Sequence, residues 1–268
     1  MSYTFGFIGC GNMGGALATA AAETISGKEI LLADQDYGKA QTLAEKLSAD
    51  CADSSEVAAK CQYVFLGVKP QMMETMLSSI APVLKARTDR FVLISMAAGL
   101  TISRIQEMAG GTYPVIRIMP NTPASIGAGM ILYTASSAVS AEEKEHFIAN
   151  MSAAGILDEL GEHLIDAGSA VSGCGPAFVD LFIEALADGG VECGLPRDKA
   201  LLYAAQMVMG SAKLVLESGE HPGTLKDRVC SPGGSTIVGV HALENGAMRS
   251  AVINAVVSAY EKTVDLGK

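Results

Sequence analysis

Short apolar runs alternate with helical patterns over about the first 160 residues of this 268-residue chain. Several runs, such as Tyr63–Val68, are apolar on both faces, which is typical of a central strand covered by helices on each side. The alternation predicts an α/β fold with a mostly parallel, doubly wound sheet. The predicted strands are Tyr3–Gly9, Glu29–Asp34, Tyr63–Val68, Phe91–Ser95, Val115–Met119, Met130–Thr134 and Ile156–Leu160. The predicted helices between them are Gly11–Thr24, Gly38–Ser48, Gln71–Lys85, Ser103–Met108 and Ala141–Met151.

Past about residue 161 the strand signal ends and only helical patterns follow. The first predicted helix there, Pro176–Glu192, is apolar around most of its circumference. Three more are predicted after glycine and proline breaks, at Lys199–Glu217, Gly234–Glu244 and Arg249–Leu266. Such helices have more apolar surface than one small bundle can bury, so we expect an all-α domain that dimerises. The predicted domains are therefore residues 1–160 and residues 161–268.

Composition and charge argue against several classes of protein. The formal net charge is -10, so the chain lacks the clustered positive charge that nucleic-acid binding requires. We find no uninterrupted apolar run near the roughly 18 residues of a spanning helix. Because Met1–Thr4 carries no basic leader, we expect a cytoplasmic protein without membrane partners. The six cysteines form no Cys-x-x-Cys pair and the four histidines form no metal motif, which predicts reduced thiols and no metal site.

A glycine motif lies where the first predicted strand meets the first predicted helix. Gly9, Gly11 and Gly14 have the G-x-G-x-x-G spacing of dinucleotide-binding turns. The first glycine permits the tight turn, the second lets a pyrophosphate approach the backbone, and the third lets the helix pack closely on the strand. Free N–H groups at the helix start favour a bound anion. Residues 1–160 are thus predicted to form a Rossmann dinucleotide-binding domain; the alternative is a tight turn without a ligand.

Asp34 follows the last of these glycines by 20 positions, at the end of the second predicted strand. A carboxylate at this point accepts a hydrogen bond from the ribose 2′-hydroxyl of NAD and repels the 2′-phosphate of NADP. No arginine follows closely, although Lys39 is near, so the local chemistry favours NAD(H). The alternative is that Asp34 only begins the loop or caps the next helix.

Three further segments stand out by their turn chemistry. Lys69 follows the third predicted strand, at the sheet edge where such folds bind ligands; the alternative is an ordinary surface lysine. Asn121 lies in a loop between two prolines. Ser231–Thr236 leads into a helix, and its small residues leave the last two N–H groups open to a carboxylate. A plain helix start with a serine cap is the alternative there.

Together these segments resemble the pyrroline-5-carboxylate reductase family, and the likeness covers essentially the whole chain. The most specific segments are Ser172–Ala177 and Ser231–Thr236, whereas the glycine motif is common to many dinucleotide-binding proteins. The other matching segments are Phe7–Gly14, Val68–Pro70, Ala97–Gly99, Met119–Pro123, Ala185–Gly190, His221–Gly223 and Leu225–Asp227.

The resemblance implies an enzyme that reduces 1-pyrroline-5-carboxylate to L-proline, the last step of proline biosynthesis. Similar enzymes join an N-terminal Rossmann domain to an all-α dimerisation domain, and they assemble as homodimers or as decamers of five dimers. The hydride comes from NADPH or NADH. Members generally favour NADPH, whereas Asp34 favours NADH, so the sequence leaves the choice of cofactor open.

The same likeness implies candidate residues for both ligands. The substrate carboxylate would meet backbone at Gly234, Ser235 and Thr236, and Glu162 would help to define the pocket. The Thr236 hydroxyl would lie near the ring nitrogen as the catalytic group; because a hydroxyl is a poor acid, its expected role is to orient the substrate. A protonated cyclic imine is already electrophilic, so we expect no metal. The implied cofactor contacts, together with Asp34, are Ile8, Gly9, Cys10, Gly11, Asn12, Met13, Ser54, Val68, Lys69, Pro70, Met96, Ala97 and Ala98.

Two other functions fit parts of the sequence. A beta-hydroxyacid dehydrogenase also joins a Rossmann domain to a helical one, but it places a catalytic lysine on a helix where Pro176–Gly194 contains none. A redox sensor that binds a dinucleotide and signals through its dimer interface would need no pocket chemistry. The acidic line Asp180, Glu184 and Asp188 is interpreted as a solvated or salt-bridged stripe without a catalytic role.

Overall fold

A computed structural model describes residues 3–266. Residues 1, 2, 267 and 268, which belong to the predicted domains, lie outside the described residues, and the first two are half of the N-terminal segment used for the leader prediction. Within the described range one sheet contains eight strands: β1 Tyr3–Ile8, β2 Ile30–Ala33, β3 Asp50–Cys51, β4 Cys61–Leu66, β5 Val92–Ser95, β6 Val115–Met119, β7 Gly129–Ala135 and β8 Gly155–Glu159. Their order is β3-β2-β1-β4-β5-β6-β7-β8, and each neighbouring pair is parallel except β6 with β7. The predicted mostly parallel, doubly wound sheet is confirmed.

Helices cover both faces of this sheet. They are α1 Asn12–Ala21, α2 Tyr37–Leu47, α3 Ser54–Lys60, α4 Pro70–Ala86, α5 Ile102–Ala109 and α6 Ala141–Met151. Alternate strand residues point to opposite faces. Phe5 and Phe7 therefore pack with α1, α2 and α6, whereas Val64 and Leu66 pack with α3, α4 and α5. Full burial of one such side chain contributes about 1.5–3 kcal/mol, so these two clusters form a core within one chain.

Four elements differ from the predicted pattern. β3 has two residues and α3 has seven, which are too few for a periodicity to show, and α3 is capped by Asp53. α7 Glu162–Ser172 follows β8 almost directly. α10 Pro222–Val229 begins at a predicted break, because proline suits the first helical position and the Gly223 N–H donates to His221 Nδ1 at 3.0 Å. The break therefore separates two helices rather than a helix from a loop.

The chain divides into two compact units. The first comprises the residues up to Cys174 together with those from Ala259 onward, and the second is Gly175–Ser258. α7 belongs to the first unit because Ile165 packs in a buried cluster with residues of β6 and β7. The first compact unit thus extends past residue 160, where the sequence places the end of the dinucleotide-binding domain.

The second unit consists of helices with very little buried core. Its elements are α8 Gly175–Glu192, α9 Arg197–Ser218, α10, α11 Ser235–Asn245 and the first part of α12 Met248–Leu266. Within residues 175–258, all of them described, the buried apolar cluster consists of Ala187, Ala200 and Ala204, where α8 packs on α9. Large side chains such as Leu216 and Val238 are 75% and 67% exposed. These helices therefore present apolar faces suited to a protein partner.

One helical stretch passes a length and hydropathy test for a membrane span. Glu162–Glu192, which runs through α7 and α8, is long and apolar enough to cross a bilayer by those two measures, although it contains no uninterrupted apolar run of 18 residues. It contains six acidic residues. A helix that lies at a protein interface passes the same test, so the test is weak evidence for a span.

Candidate active site

The carboxyl ends of β1 and β4 form the switch point of the sheet, because β2 and β3 lie on one side of them and β5 on the other. Gly9 follows β1 with a φ of 106°, a conformation that favours glycine. Its N–H donates to the Ala33 carbonyl oxygen at 2.8 Å, and the Gly67 N–H donates to the Ile8 carbonyl oxygen at 2.7 Å. A Cβ on either glycine would lie within 2.7 Å of the other's carbonyl oxygen. The two loops can therefore approach this closely only because both positions are glycines, which have no Cβ.

α1 begins beside these loops, with Gly11 as its N-cap. Among the described residues no side chain caps this helix, and no acidic residue lies in its first turn, so its first N–H groups are free to bind an anion. A Cβ on Gly14 would overlap the Gly9 carbonyl oxygen, whereas a Cβ on Gly11 would meet no described atom within 4 Å. Gly14 is thus required for packing, and Gly11 borders open space of the kind that a pyrophosphate fills.

A cleft of about 620 Å³ opens at the switch point. The predicted cofactor residues that line it are Ile8, Gly9, Gly11, Asp34, Ser54, Val68 and Lys69. Cys10 and Asn12 border an adjoining depression. Sequence reasoning missed Tyr37, Met72 and Thr75, which also line the cleft, because they resemble ordinary helix positions of α2 and α4.

The other predicted cofactor residues do not line this cleft. Pro70 starts α4 directly after Lys69, which is the N-cap of that helix. Met96, Ala97 and Ala98 follow β5 and pack in or against buried clusters. Met13 of α1 also packs against such a cluster. Their part in binding stays a prediction.

The Asp34 carboxylate is held by two backbone N–H groups directly after β2. The Cys10 N–H donates to Oδ2 at 2.7 Å, and the Asp36 N–H donates to Oδ1 at 2.9 Å. The bond from Cys10 ties the glycine turn to the end of β2. Because an ionised carboxylate has about four acceptor positions, Asp34 keeps capacity for a hydroxyl donor in the cleft.

The described residues offer neither an activated thiol nor a metal cluster at this site. Burial, followed by the negative charge of Asp34, raises the pKa of Cys10 to about 12, so its thiol is protonated at neutral pH. Cys10 therefore contributes through its backbone. Within residues 3–266 no group of three or more histidine, cysteine, aspartate or glutamate side chains is arranged to hold a metal ion.

Glu162, a predicted pocket residue, is engaged inside the first unit. Its Oε1 accepts the Ile102 N–H at 2.6 Å, where α5 begins, and lies 3.9 Å from Arg117 Nη1. Arg117 is fully buried, and its Nη2 donates to Asp166 Oδ1 at 2.5 Å, while its Nε has no partner among the described residues. Sequence reasoning missed Arg117 and Asp166, although one arginine within an apolar strand was a visible signal.

Asn121 has a positioning role inside the first unit. Its Oδ1 accepts the Met130 N–H at 3.0 Å, and its Nδ2 donates to the Ser172 carbonyl oxygen at 3.0 Å. The side chain thus joins the loop after β6 both to β7 and to the end of α7.

The second unit contains another helix start with open N–H groups. Gly233 has a φ of 69°, and the Gly234 N–H donates to the Ser231 carbonyl oxygen at 3.0 Å. Gly234 is the N-cap of α11, which has no side-chain cap among the described residues and no acidic residue in its first turn. The alternative of a serine cap is therefore wrong. Ser235 and Thr236 are exposed in that first turn, and their N–H groups are suited to an anion.

Two family models match the chain. Residues 162–266 match the model for pyrroline-5-carboxylate reductase dimerisation, and residues 4–99 match the model for coenzyme F420-dependent NADP oxidoreductases. The first match covers most of the predicted all-α domain, and the second contains the glycine motif and the cleft described above.

Named relatives and solved structures belong to the same family as the first model, and their similarity extends over the full length of the chain. The pyrroline-5-carboxylate reductases of Synechocystis sp. and Escherichia coli are 42% and 40% identical to the chain, with 100% of each chain covered. The crystal structure of Plasmodium falciparum pyrroline carboxylate reductase with NADP bound is similar with a TM-score of 0.89 at 34% identity, covering 99% of this chain and 98% of that one. The Coxiella burnetii pyrroline-5-carboxylate reductase gives a TM-score of 0.89 at 29% identity, with 100% of both chains covered. The resemblance drawn from the sequence is confirmed.

Proposed function

The chain belongs to the pyrroline-5-carboxylate reductase family, and from this premise we propose that it reduces 1-pyrroline-5-carboxylate to L-proline, the last step of proline biosynthesis. The observation that carries the proposal is the identity of 40% or more to two such reductases over whole chains. In this reaction a hydride adds to the carbon of a protonated cyclic C=N bond, and the π electron pair moves to nitrogen. The product is a secondary amine.

We propose that NADH or NADPH binds in the cleft of the first unit as a diffusible cosubstrate. When bound, the reduced nicotinamide supplies the hydride. The N–H groups of Asn12 and Met13 at the start of α1 would hold the pyrophosphate in the open space over Gly11. Asp34 would accept a hydrogen bond from the adenosine ribose. The remaining candidates for contact with the dinucleotide are Ile8, Gly9, Cys10, Ser54, Val68, Lys69, Pro70, Met96, Ala97 and Ala98.

The start of α11 would bind the substrate carboxylate. The N–H groups of Ser235 and Thr236 are the donors, because the Gly234 N–H already donates to Ser231. A Cβ on Gly234 would overlap the Ser231 Oγ, so Gly234 contributes by keeping this turn compact. The geometry supports an anion site here, since no described side chain competes for the first N–H groups of the helix.

The Thr236 hydroxyl is the proposed catalytic group. From the first turn of α11 it would hydrogen-bond to the ring nitrogen and hold the C=N bond in one orientation, which raises the rate because the reacting atoms are aligned. Glu162 would act at a distance. Its carboxylate fastens the Ile102 N–H at the start of α5, and so fixes the end of the loop that contains Met96–Ala98.

The partners of the chain follow from its second unit. The match of residues 162–266 to a dimerisation model supports a homodimer, which would cover the exposed apolar faces of the helices. Assembly of five such dimers into a decamer is a further proposal. A cytoplasmic location and the absence of nucleic-acid and membrane partners are proposed from the acidic charge and from the protein interface expected on α8.

A spectrophotometric assay tests the reaction. The purified chain, pyrroline-5-carboxylate and either NADH or NADPH should give a fall in absorbance of the reduced cofactor, with L-proline formed in equal amount. Omission of the imine is the control. Cofactor that binds but is not oxidised when the imine is added would contradict the proposal and favour a dinucleotide sensor. Oxidation of the reduced cofactor by a 3-oxo acid, which would be reduced to the 3-hydroxy acid, and not by the imine would favour a beta-hydroxyacid dehydrogenase.

A further inference from the structure

The ribose end of the cleft carries a fixed negative charge. Asp34 stands directly after β2, where a Rossmann domain contacts the adenosine ribose. Its two oxygens accept the backbone N–H groups of Cys10 and Asp36 at 2.7 and 2.9 Å. Because both donors belong to the backbone, the carboxylate cannot turn away from the cleft without breaking the turn that forms it.

Among the described residues no lysine or arginine forms a salt bridge with this carboxylate, whose hydrogen-bond donors are both backbone N–H groups. The first arginine in the sequence is Arg87, and its guanidinium binds two carbonyl oxygens near the start of β4. Lys39 lies 3.8 Å from the carboxylate of Asp36, and it does not line the cleft. Lys69 follows β4, which is two strands away from β2, a separation of about 10 Å.

We infer that Asp34 makes NADH the preferred cofactor of this enzyme; the inference rests on the proposed dinucleotide site. The ribose 2′-hydroxyl of NADH donates a hydrogen bond, and Asp34 keeps acceptor positions for it. The 2′-phosphate of NADPH carries close to two negative charges at neutral pH, so Asp34 and Asp36 repel it. The preference is opposite to the NADP bound in the Plasmodium falciparum relative.

Calorimetric titration with each reduced cofactor, without substrate, measures this preference apart from turnover. The dissociation constant for NADH should be at least tenfold lower than that for NADPH. The value of kcat/KM should accordingly be higher with NADH than with NADPH. Salt provides a second measurement. Because salt screens repulsion between charges, the advantage of NADH should shrink as ionic strength rises from about 0.05 M to about 0.5 M.

Substitution of the carboxylate tests its role directly. Asp34→Asn removes the charge, keeps one oxygen acceptor and leaves the size of the side chain nearly constant. Asp34→Ser also removes the charge and keeps one oxygen acceptor, but its side chain is smaller. Each should raise the affinity for NADPH at least tenfold relative to NADH. Glu45→Gln is the matched control, because Glu45 is exposed on α2, bonds only to Gln41 among the described side chains, and changes the net charge by the same amount.

Several results would overturn the inference. The first is that the unaltered protein binds NADPH as tightly as NADH. The second is that both Asp34 variants lose affinity for NADH and for NADPH to the same extent, because the carboxylate would then have only a structural role. A preference for NADPH that disappears in Lys39→Gln would assign the phosphate to that lysine. Failure of the proposed function looks different: neither cofactor is then oxidised when pyrroline-5-carboxylate is added.

Discussion

The two compact units of this chain bury their apolar side chains in opposite ways. In the first, aromatic and aliphatic side chains from both faces of the sheet are enclosed by helices of the same chain. In the second, the buried cluster consists of three alanines. Of the 26 exposed large apolar side chains among the described residues, 18 lie within residues 175–258. The first unit thus has the core that an independent domain needs, whereas the second requires the surface of a partner.

The largest expected effect comes from placing a charge on the exposed apolar helices. Met209→Glu on α9 or Ile253→Glu on α12 would put an unpaired carboxylate where a second copy should pack, at a cost of several kcal/mol. We expect the dimer to dissociate at micromolar concentration and the second unit to lose helicity, while the first unit still binds dinucleotide. Light scattering, circular dichroism and cofactor titration measure these three results.

Ile156→Glu is the matched control for these variants. Ile156 is 60% exposed, as apolar and as accessible as the others, but it lies on β8 of the first unit. The control should remain a dimer with full helicity. Met209→Glu and Ile253→Glu proteins that stay dimeric, or that fold completely as monomers, would break the contrast between the two units.

A smaller effect is expected from Thr236→Ala, which separates the roles of the two units. Loss of a hydrogen bond to a charged group costs about 1.5–3 kcal/mol, so turnover should fall by roughly 10- to 100-fold. The dissociation constant of the cofactor should not change, because the proposed cofactor site lies in the first unit. Steady-state kinetics and cofactor titration measure both quantities.

Thr236→Ser keeps the hydroxyl and should retain most of the activity. Unchanged kinetics in Thr236→Ala would remove the catalytic role from this hydroxyl, and equal losses in both variants would point to packing of the threonine methyl group instead.

The contrast between the units also explains what the sequence could predict of the fold. Apolar runs such as Tyr63–Val68 mark strands because the sheet is buried within the chain, and the predicted mostly parallel sheet is confirmed. α3 has seven residues, too few for a periodic pattern. α7 was missed although it packs through Ile165, because its role depends on contacts with β6 and β7 that are distant in sequence.

The site shows the same limit. The roles of Gly9 in the tight turn and of Gly14 in packing could be predicted from spacing alone, because they depend on local backbone geometry. The contact of Gly11 with a pyrophosphate stays a prediction. The engagement of Glu162 by Ile102 and Arg117 could not be predicted in this way, because it joins residues up to 60 positions apart. A sequence motif therefore predicts the position of a turn. Which side chains are available to bind a ligand depends on contacts between residues that are distant in sequence, and these are visible only in the fold.

Alanine at two glycines of the first unit gives the smallest and most selective effects. Gly14→Ala would overlap the Gly9 carbonyl oxygen and should lower the free energy of unfolding of the first unit by about 1–3 kcal/mol. Because this unit has its own core, the loss should not depend on protein concentration, in contrast to Met209→Glu, whose effect on a dimer must. Thermal unfolding at several concentrations measures the difference.

Gly11→Ala provides the opposite case within the same motif. A Cβ there meets no described atom within 4 Å, and the backbone φ of -68° is open to alanine, so the unfolding temperature should stay nearly unchanged. The methyl group would instead occupy the space proposed for the pyrophosphate, so cofactor affinity should fall at least tenfold. A Gly11→Ala protein that binds NADH normally would move the phosphates away from α1, and a destabilised one would show that the turn, rather than the ligand, requires this glycine.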